Sequence, residues 1–136
     1  TGGSEITFEI LEAAPEIFTY GDGRAVVQNS DGSVNAPGNA ARAGELGVLY
    51  LTGQGPLDRE VLPGHAAPSR VLARATLPVE IIVDGRPAEV LFAGLTPGFV
   101  GLCQVNFLFP ELPPGDHAMT VQFGSHRSNE ALVTTR

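Results

Sequence analysis

The chain has 136 residues, a formal net charge of −7 and one cysteine, which fits a single domain and excludes an internal disulfide. Its eight basic residues are all arginines scattered along the chain, whereas phosphate binding needs clustered cations, so we expect no nucleic-acid partner. No apolar run approaches the roughly 20 residues of a membrane span, so we expect no membrane insertion.

The first predicted element is a strand near the N-terminus. Apolar Ile6, Phe8 and Ile10 alternate with Thr7 and Glu9, the period-2 pattern of a strand with one apolar face. We assign residues 1–14 to an N-terminal strand or extension and residues 15–136 to a β-sandwich. Because a terminal strand can add to a neighbour's sheet, Ile6, Phe8 and Ile10 form the candidate self-association strand. Pairing within its own chain is the equal alternative.

The remaining elements are also short strands separated by turns. Gly47–Thr52 is apolar on both faces, as a central strand would be. Asp84-Gly85 separates two apolar runs and predicts a tight hairpin. In the run after it, Ala88, Val90 and Phe92 are predicted to share one face. Further strands are predicted at 24–29, 79–83, 102–109, 117–123 and 131–135, which together indicate an all-β, antiparallel sandwich of about 7–9 strands.

The stretch Gly94–Pro110 holds the only cysteine, and it begins with a turn at Pro97-Gly98. Cys103 shares the more apolar face of its strand with Phe107. A nucleophilic cysteine needs a neighbouring base or a helix N-terminus, and the flanking sequence offers neither. We therefore predict that Cys103 is buried and unreactive.

Other candidate chemistry is weak. The three histidines form no ligand pair such as His-x-x-x-His, and Gly124-Ser125-His126 is not the Gly-x-Ser-x-Gly nucleophile motif. Four loop residues could offer oxygens to calcium, but their spacing matches no calcium loop, and turn formation explains them. We therefore expect no catalysis, no cofactor and no bound metal. The four loop residues are Asp22, Asn29, Asp31 and Asn35.

Several segments together resemble one family: AAPEIFT, NSDGSVNAP, LYLTGQGP, VEIIVDGRPAEVLFAGLTPGFVGLCQVNFLFP and PPGDHAMTVQFGSHRSN. Between Ala13 and Thr135 the chain is similar to the Solibacter-type uncharacterised C-terminal domain of secreted acidobacterial proteins. The resemblance implies an immunoglobulin-like sandwich, an extracellular or cell-surface location and an accessory module without known catalytic residues. Family members usually carry an aromatic residue where this chain has Cys103.

These observations predict a non-catalytic extracellular structural or interaction module. Its expected partner is protein, namely copies of itself joined head to tail through the N-terminal strand into a filament or array. The alternative is a module that binds a surface ligand or carbohydrate. Sugar sites use exposed aromatic rings, and because Tyr50 lies in a predicted central strand, Tyr20 is the main candidate for stacking.

Overall fold

The computed structural model describes residues 13–58 and 73–136, and within them every regular element is a β-strand. The predicted all-β class is confirmed, whereas the predicted strand with Ile6, Phe8 and Ile10 lies outside the described residues. The strands are β1 (Glu16–Ile17), β2 (Thr19–Tyr20), β3 (Arg24–Ala25), β4 (Val27–Gln28), β5 (Leu46–Thr52), β6 (Val79–Val83), β7 (Arg86–Leu95), β8 (Cys103–Leu108), β9 (Gly115–Phe123), β10 (His126–Arg127) and β11 (Ala131–Thr135).

The strands join into one large sheet that curls almost into a barrel. Its order is β1-β5-β8-β7-β6-β9-β11-β3-β2, with β10 beside β9 and β4 beside β5. The long β7 connects the two halves, because its first residues pair with β6 and the rest pair with β8. At the opposite side the two ends of the sheet meet. There the Val26 N–H donates a hydrogen bond to the Phe18 carbonyl, and the Tyr50 N–H donates one to the Val26 carbonyl.

The strand count and pairing differ from the prediction. Eleven strands are present because segments 16–20 and 24–28 each break into two short strands as they cross between the halves of the sheet. The prediction of a purely antiparallel fold is wrong for one pair, since β3 runs parallel to β11 with Arg24 opposite Leu132. Residues far apart in sequence form this pair, and local periodicity carries no information about its direction.

The core lies between the two halves of the sheet and is filled by alternate residues of the long strands. β5, β8 and β9 each show strict alternation of buried and half-buried positions. The predicted inward face of β8 is confirmed, because Cys103 and Phe107 are fully buried, and the Phe107 and Phe109 ring centroids lie 4.9 Å apart. Burial of these side chains is the main favourable term for folding.

The predicted hairpin at Asp84-Gly85 is confirmed. Val83 pairs with Arg86 across a two-residue turn, and both turn residues have positive φ, 51° at Asp84 and 79° at Gly85. That is the type I′ geometry whose twist matches the flanking strands, and Asp-Gly adopts it at low cost.

The predicted face of β7 is wrong beyond Val90. The pairing with β8 shifts between Val90 and Phe92, which marks a β-bulge at Leu91. A bulge inserts one extra residue and reverses which side chains face inward. Ala93 therefore packs against the core, whereas the Phe92 ring lies 5.0 Å from the Arg74 guanidinium carbon in a cation–π contact.

Candidate binding groove

A tight turn in the connection between β7 and β8 exposes two apolar side chains to solvent. Phe99 N–H donates to the Thr96 carbonyl at 3.2 Å, and Gly98 has a φ of 80°. Proline at the second position and a left-handed glycine at the third define a type II turn, so the predicted Pro97-Gly98 turn is confirmed. Phe99 and Val100 at its end are 56% and 59% exposed.

This turn overhangs an apolar groove of about 450 Å³ on the outer face of the sheet. The floor comes from β4, β5 and the segments that join the sheet ends, and the wall comes from the turn. All eight described lining residues are uncharged, although the chain as a whole carries a formal charge of −7. They are Phe18, Val26, Gln28, Val34, Tyr50, Thr96, Phe99 and Leu102.

The alternation of β5 places Tyr50 in this groove. Leu49 and Leu51 point into the core and are fully buried, so the residue between them faces outward. The Tyr50 hydroxyl donates to Gln28 Oε1 at 2.7 Å, and burial raises the pKa of Tyr50 above its ordinary value. Tyr50 is therefore a neutral, oriented ring on the groove floor.

Thr96 lies in the groove wall with its hydroxyl turned away from solvent. Its side chain is only 7% exposed, and its hydroxyl has no hydrogen-bond partner among the described residues. Most buried hydroxyls in proteins are hydrogen-bonded, and an unpaired one costs about 1–3 kcal/mol. Because the oxygen is enclosed, it presents no hydrogen-bonding group to the groove.

Most residues of this groove carry no signal in the local sequence. Tyr20, the residue predicted for ligand stacking, is not among the described lining residues, and its hydroxyl donates to the Asn35 carbonyl. The signal for Phe99 was its position directly after Pro97-Gly98, outside any alternating run. Phe18 and Val34 gave no local signal, because only the closure of the sheet brings them beside β5.

The outer face of the other half of the sheet is polar. A depression of about 360 Å³ over β6 and β9 is lined in part by Glu80, Asp84, Arg127 and Glu130. Such a surface is hydrated at little cost, whereas the apolar groove gains free energy when it is covered. The groove is therefore the surface better suited to a stable partner.

Three of the four loop residues considered for calcium, Asn29, Asp31 and Asn35, have structural roles. Asp31 accepts hydrogen bonds from the Ser33 backbone and hydroxyl in an Asx turn, and these bonds lower its pKa. Asn35 donates to Asn29 Oδ1 at 3.1 Å within the buried interior. Across residues 13–58 and 73–136, no three His, Cys, Asp or Glu side chains converge in a way that could hold a metal.

Cys103 is fully buried, as predicted. Burial raises the pKa of its thiol to about 12, so at pH 8 the thiolate fraction is about a thousandfold below that of an unfolded chain. We expect a thiol reagent such as DTNB to label the native protein at least about a hundredfold more slowly than the urea-unfolded protein. Rapid labelling of the native protein would contradict this expectation.

No family model matches the chain, and no curated protein matches it. The resemblance to the Solibacter-type domain therefore stays a prediction. In the ranges that the structure describes, no helix has the length and apolar character needed to cross a membrane. The groove remains the feature from which a function can be argued.

Proposed function

We propose that the chain is a non-catalytic extracellular interaction module, an immunoglobulin-like sandwich that associates with copies of itself head to tail. The observation that carries this proposal is the uncharged groove bordered by Phe18, Tyr50 and Phe99. Exposed apolar surfaces that are contiguous and concave are typical of interaction sites. The extracellular location and the immunoglobulin-like topology rest on the family resemblance, and the all-β fold supports the latter.

The charge distribution favours this mode of self-association. Two copies that each carry a formal charge of −7 repel one another. Contact through an uncharged groove limits the cost, because none of the described lining residues of the acceptor is a carboxylate that would have to be desolvated. Covering apolar surface contributes about 25 cal/mol per Å². The groove is thus a favourable place for two acidic copies to meet.

The N-terminal strand is the proposed donor. In the predicted strand, Ile6, Phe8 and Ile10 would share an apolar face, and Thr7 would lie on the polar face. The base of this segment is fixed at one end of β5, since Ala13 is buried and Ala14 N–H donates to the Gly53 carbonyl at 2.9 Å. Twelve residues upstream of Ala13 can span up to about 40 Å when extended, enough to reach a neighbouring molecule.

Phe8→Asp in the full chain tests the self-association. We expect the wild-type molar mass to rise with concentration in sedimentation equilibrium, and we expect the Phe8→Asp chain to remain monomeric, because a charge on the apolar face must be desolvated. Thr7→Asp, on the opposite face of the same strand, is the matched control and should associate like the wild type. A wild-type chain that stays monomeric up to several hundred micromolar would refute the proposal.

Binding of a carbohydrate or another surface ligand is the second candidate. Three aromatic rings at the groove favour it, since sugars stack on such rings. Orientation of a sugar also needs several polar groups, and among the described lining residues only Gln28 and Tyr50 offer them. The mostly apolar lining therefore favours a peptide strand over a sugar.

A further inference from the structure

We infer that the apolar groove is the acceptor site for the N-terminal strand of a second copy, with Ile6, Phe8 and Ile10 facing Tyr50 and Phe99. This inference rests on the proposed self-association and adds the surface at which it occurs. The two can fail separately, because the chain could associate through its N-terminal strand at some other surface.

The direction of β1 favours a second copy over the chain's own strand. β1 runs antiparallel to β5, with Ile17 opposite Leu51 and Glu16 opposite Thr52. Followed upstream from Ile17 to Ala13, the backbone passes the end of β5 and moves away from Tyr50. A strand from the same chain would have to reverse direction to reach the groove, whereas a strand from a neighbour would not.

The groove matches the strand in side-chain character, since both surfaces are mostly apolar and include aromatic rings. Phe18, Tyr50 and Phe99 offer rings for edge or offset contacts with an aromatic side chain such as Phe8, and such pairs contribute about 0.5–1.5 kcal/mol beyond burial. The polar face with Thr7 and Glu9 would then remain in water.

The strand also supplies hydrogen-bonding groups. A bound strand brings backbone N–H and C=O groups into an apolar site, where each of them requires a partner. Gln28 and Tyr50 are polar lining residues of the groove, and their side chains can hydrogen-bond to backbone groups of a bound strand. An extended peptide therefore suits this groove better than a purely apolar ligand would.

The donor and acceptor are different surfaces of the molecule. The donor strand leaves from the end of β5 near Gly53, whereas the acceptor groove lies around Tyr50 and the Phe99 turn. Contacts between unlike surfaces are heterologous, and they generate an open chain of molecules unless the rotation between neighbours closes a ring. Occupation of the groove therefore implies head-to-tail growth.

A labelled peptide of residues 1–14 tests the inference on the full chain. The acceptor carries Phe8→Asp, so that its own strand no longer competes. We expect fluorescence anisotropy to show micromolar binding of the peptide, and we expect added Phe99→Ser to weaken it more than tenfold through loss of the ring contacts. Leu91→Ser is the matched control, because Leu91 is 51% exposed and lies outside the groove.

Three outcomes would contradict either the assignment of the acceptor site or the proposed self-association on which it rests. Equal peptide affinity in the Phe99→Ser and Leu91→Ser backgrounds would place the acceptor elsewhere and overturn the inference. Absence of peptide binding, while the wild type associates in a Phe8-dependent way, would overturn the inference and leave the proposed function standing. A monomeric wild type would overturn the proposed function itself. Thermal unfolding of each variant confirms that the acceptor is folded; because Phe99 and Leu91 are exposed, their substitutions should shift the midpoint by only a few degrees.

Discussion

Replacing Asn35 with alanine is expected to lower the free energy of unfolding by about 3 kcal/mol. The Asn35 side chain is 99% buried, and its amide pairs with the Thr134 backbone as a strand would. It donates to the Thr134 carbonyl at 2.9 Å and accepts from the Thr134 N–H at 2.8 Å. Alanine leaves the N–H unpaired in the interior, where a lost partner costs the full desolvation penalty.

Asn39→Ala is the matched control for this prediction. Asn39 belongs to the same loop and also donates two hydrogen bonds, to the Ser33 hydroxyl and the Val34 carbonyl. Because this side chain is only partly buried, water can replace its partners, and we expect a loss of at most about 1 kcal/mol. Urea unfolding monitored by circular dichroism measures both values. A loss for Asn35→Ala no larger than the roughly 1 kcal/mol expected for Asn39→Ala would contradict the stabilising role of the buried pairing with Thr134.

Gly53→Ala is expected to lower the free energy of unfolding by about 4 kcal/mol, from backbone strain and a steric clash together. Gly53 has a φ of 81°, and an added Cβ would lie 1.9 Å from the Ala14 carbonyl oxygen. No side chain can rotate away to relieve the clash, because the obstructing atom belongs to the backbone. The variant must move the segment that begins at Ala13 away from β5.

Gly44→Ala separates the two contributions. Gly44 has a φ of 84°, and nothing lies within 4 Å of an added Cβ, so the variant carries the strain without the clash. We expect its free energy of unfolding to fall by about 1–2 kcal/mol. If Gly53→Ala proved no more destabilising than Gly44→Ala, the tight contact between Ala14 and Gly53 would be excluded.

Local sequence patterns predicted the strands and their faces where each strand is long and regular. The alternation in 102–109 identified the buried face of β8, and the run at 117–123 predicted β9, since period-2 apolar patterns are determined by burial on one face. Asp84-Gly85 predicted its turn because positive φ at two successive positions restricts the residue types that fit.

Features that depend on contacts between distant segments could not be predicted from local sequence patterns. The bulge at Leu91 changes the register without any glycine to mark it, so Phe92 was assigned to the wrong face. The parallel β3–β11 pair depends on where two distant segments meet. Asn129 pairs with both backbone groups of Ile17, as Asn35 does with Thr134, and no local pattern distinguishes such an asparagine from one in a turn.

The candidate groove could not be predicted from local sequence patterns either. Tyr50 was correctly assigned to a central strand. A central position in the sheet does not predict, however, that the outer face of this strand is only partly covered. The groove exists because the sheet closes on itself and brings Phe18 beside Tyr50, while the turn at Pro97-Gly98 adds Phe99 above them. A site whose described lining comes from five separate segments leaves no contiguous motif.

Photo-crosslinking from position 8 tests most directly whether the groove binds the N-terminal strand of a second copy. Full-length chain with benzoylphenylalanine in place of Phe8 would be mixed with isotopically heavy wild-type chain, irradiated and analysed by mass spectrometry. We predict crosslinks between light and heavy chains, from position 8 to Phe18, Tyr50 or Phe99. Crosslinks confined to single chains, or intermolecular crosslinks that fall outside the groove, would contradict the proposed mode of assembly.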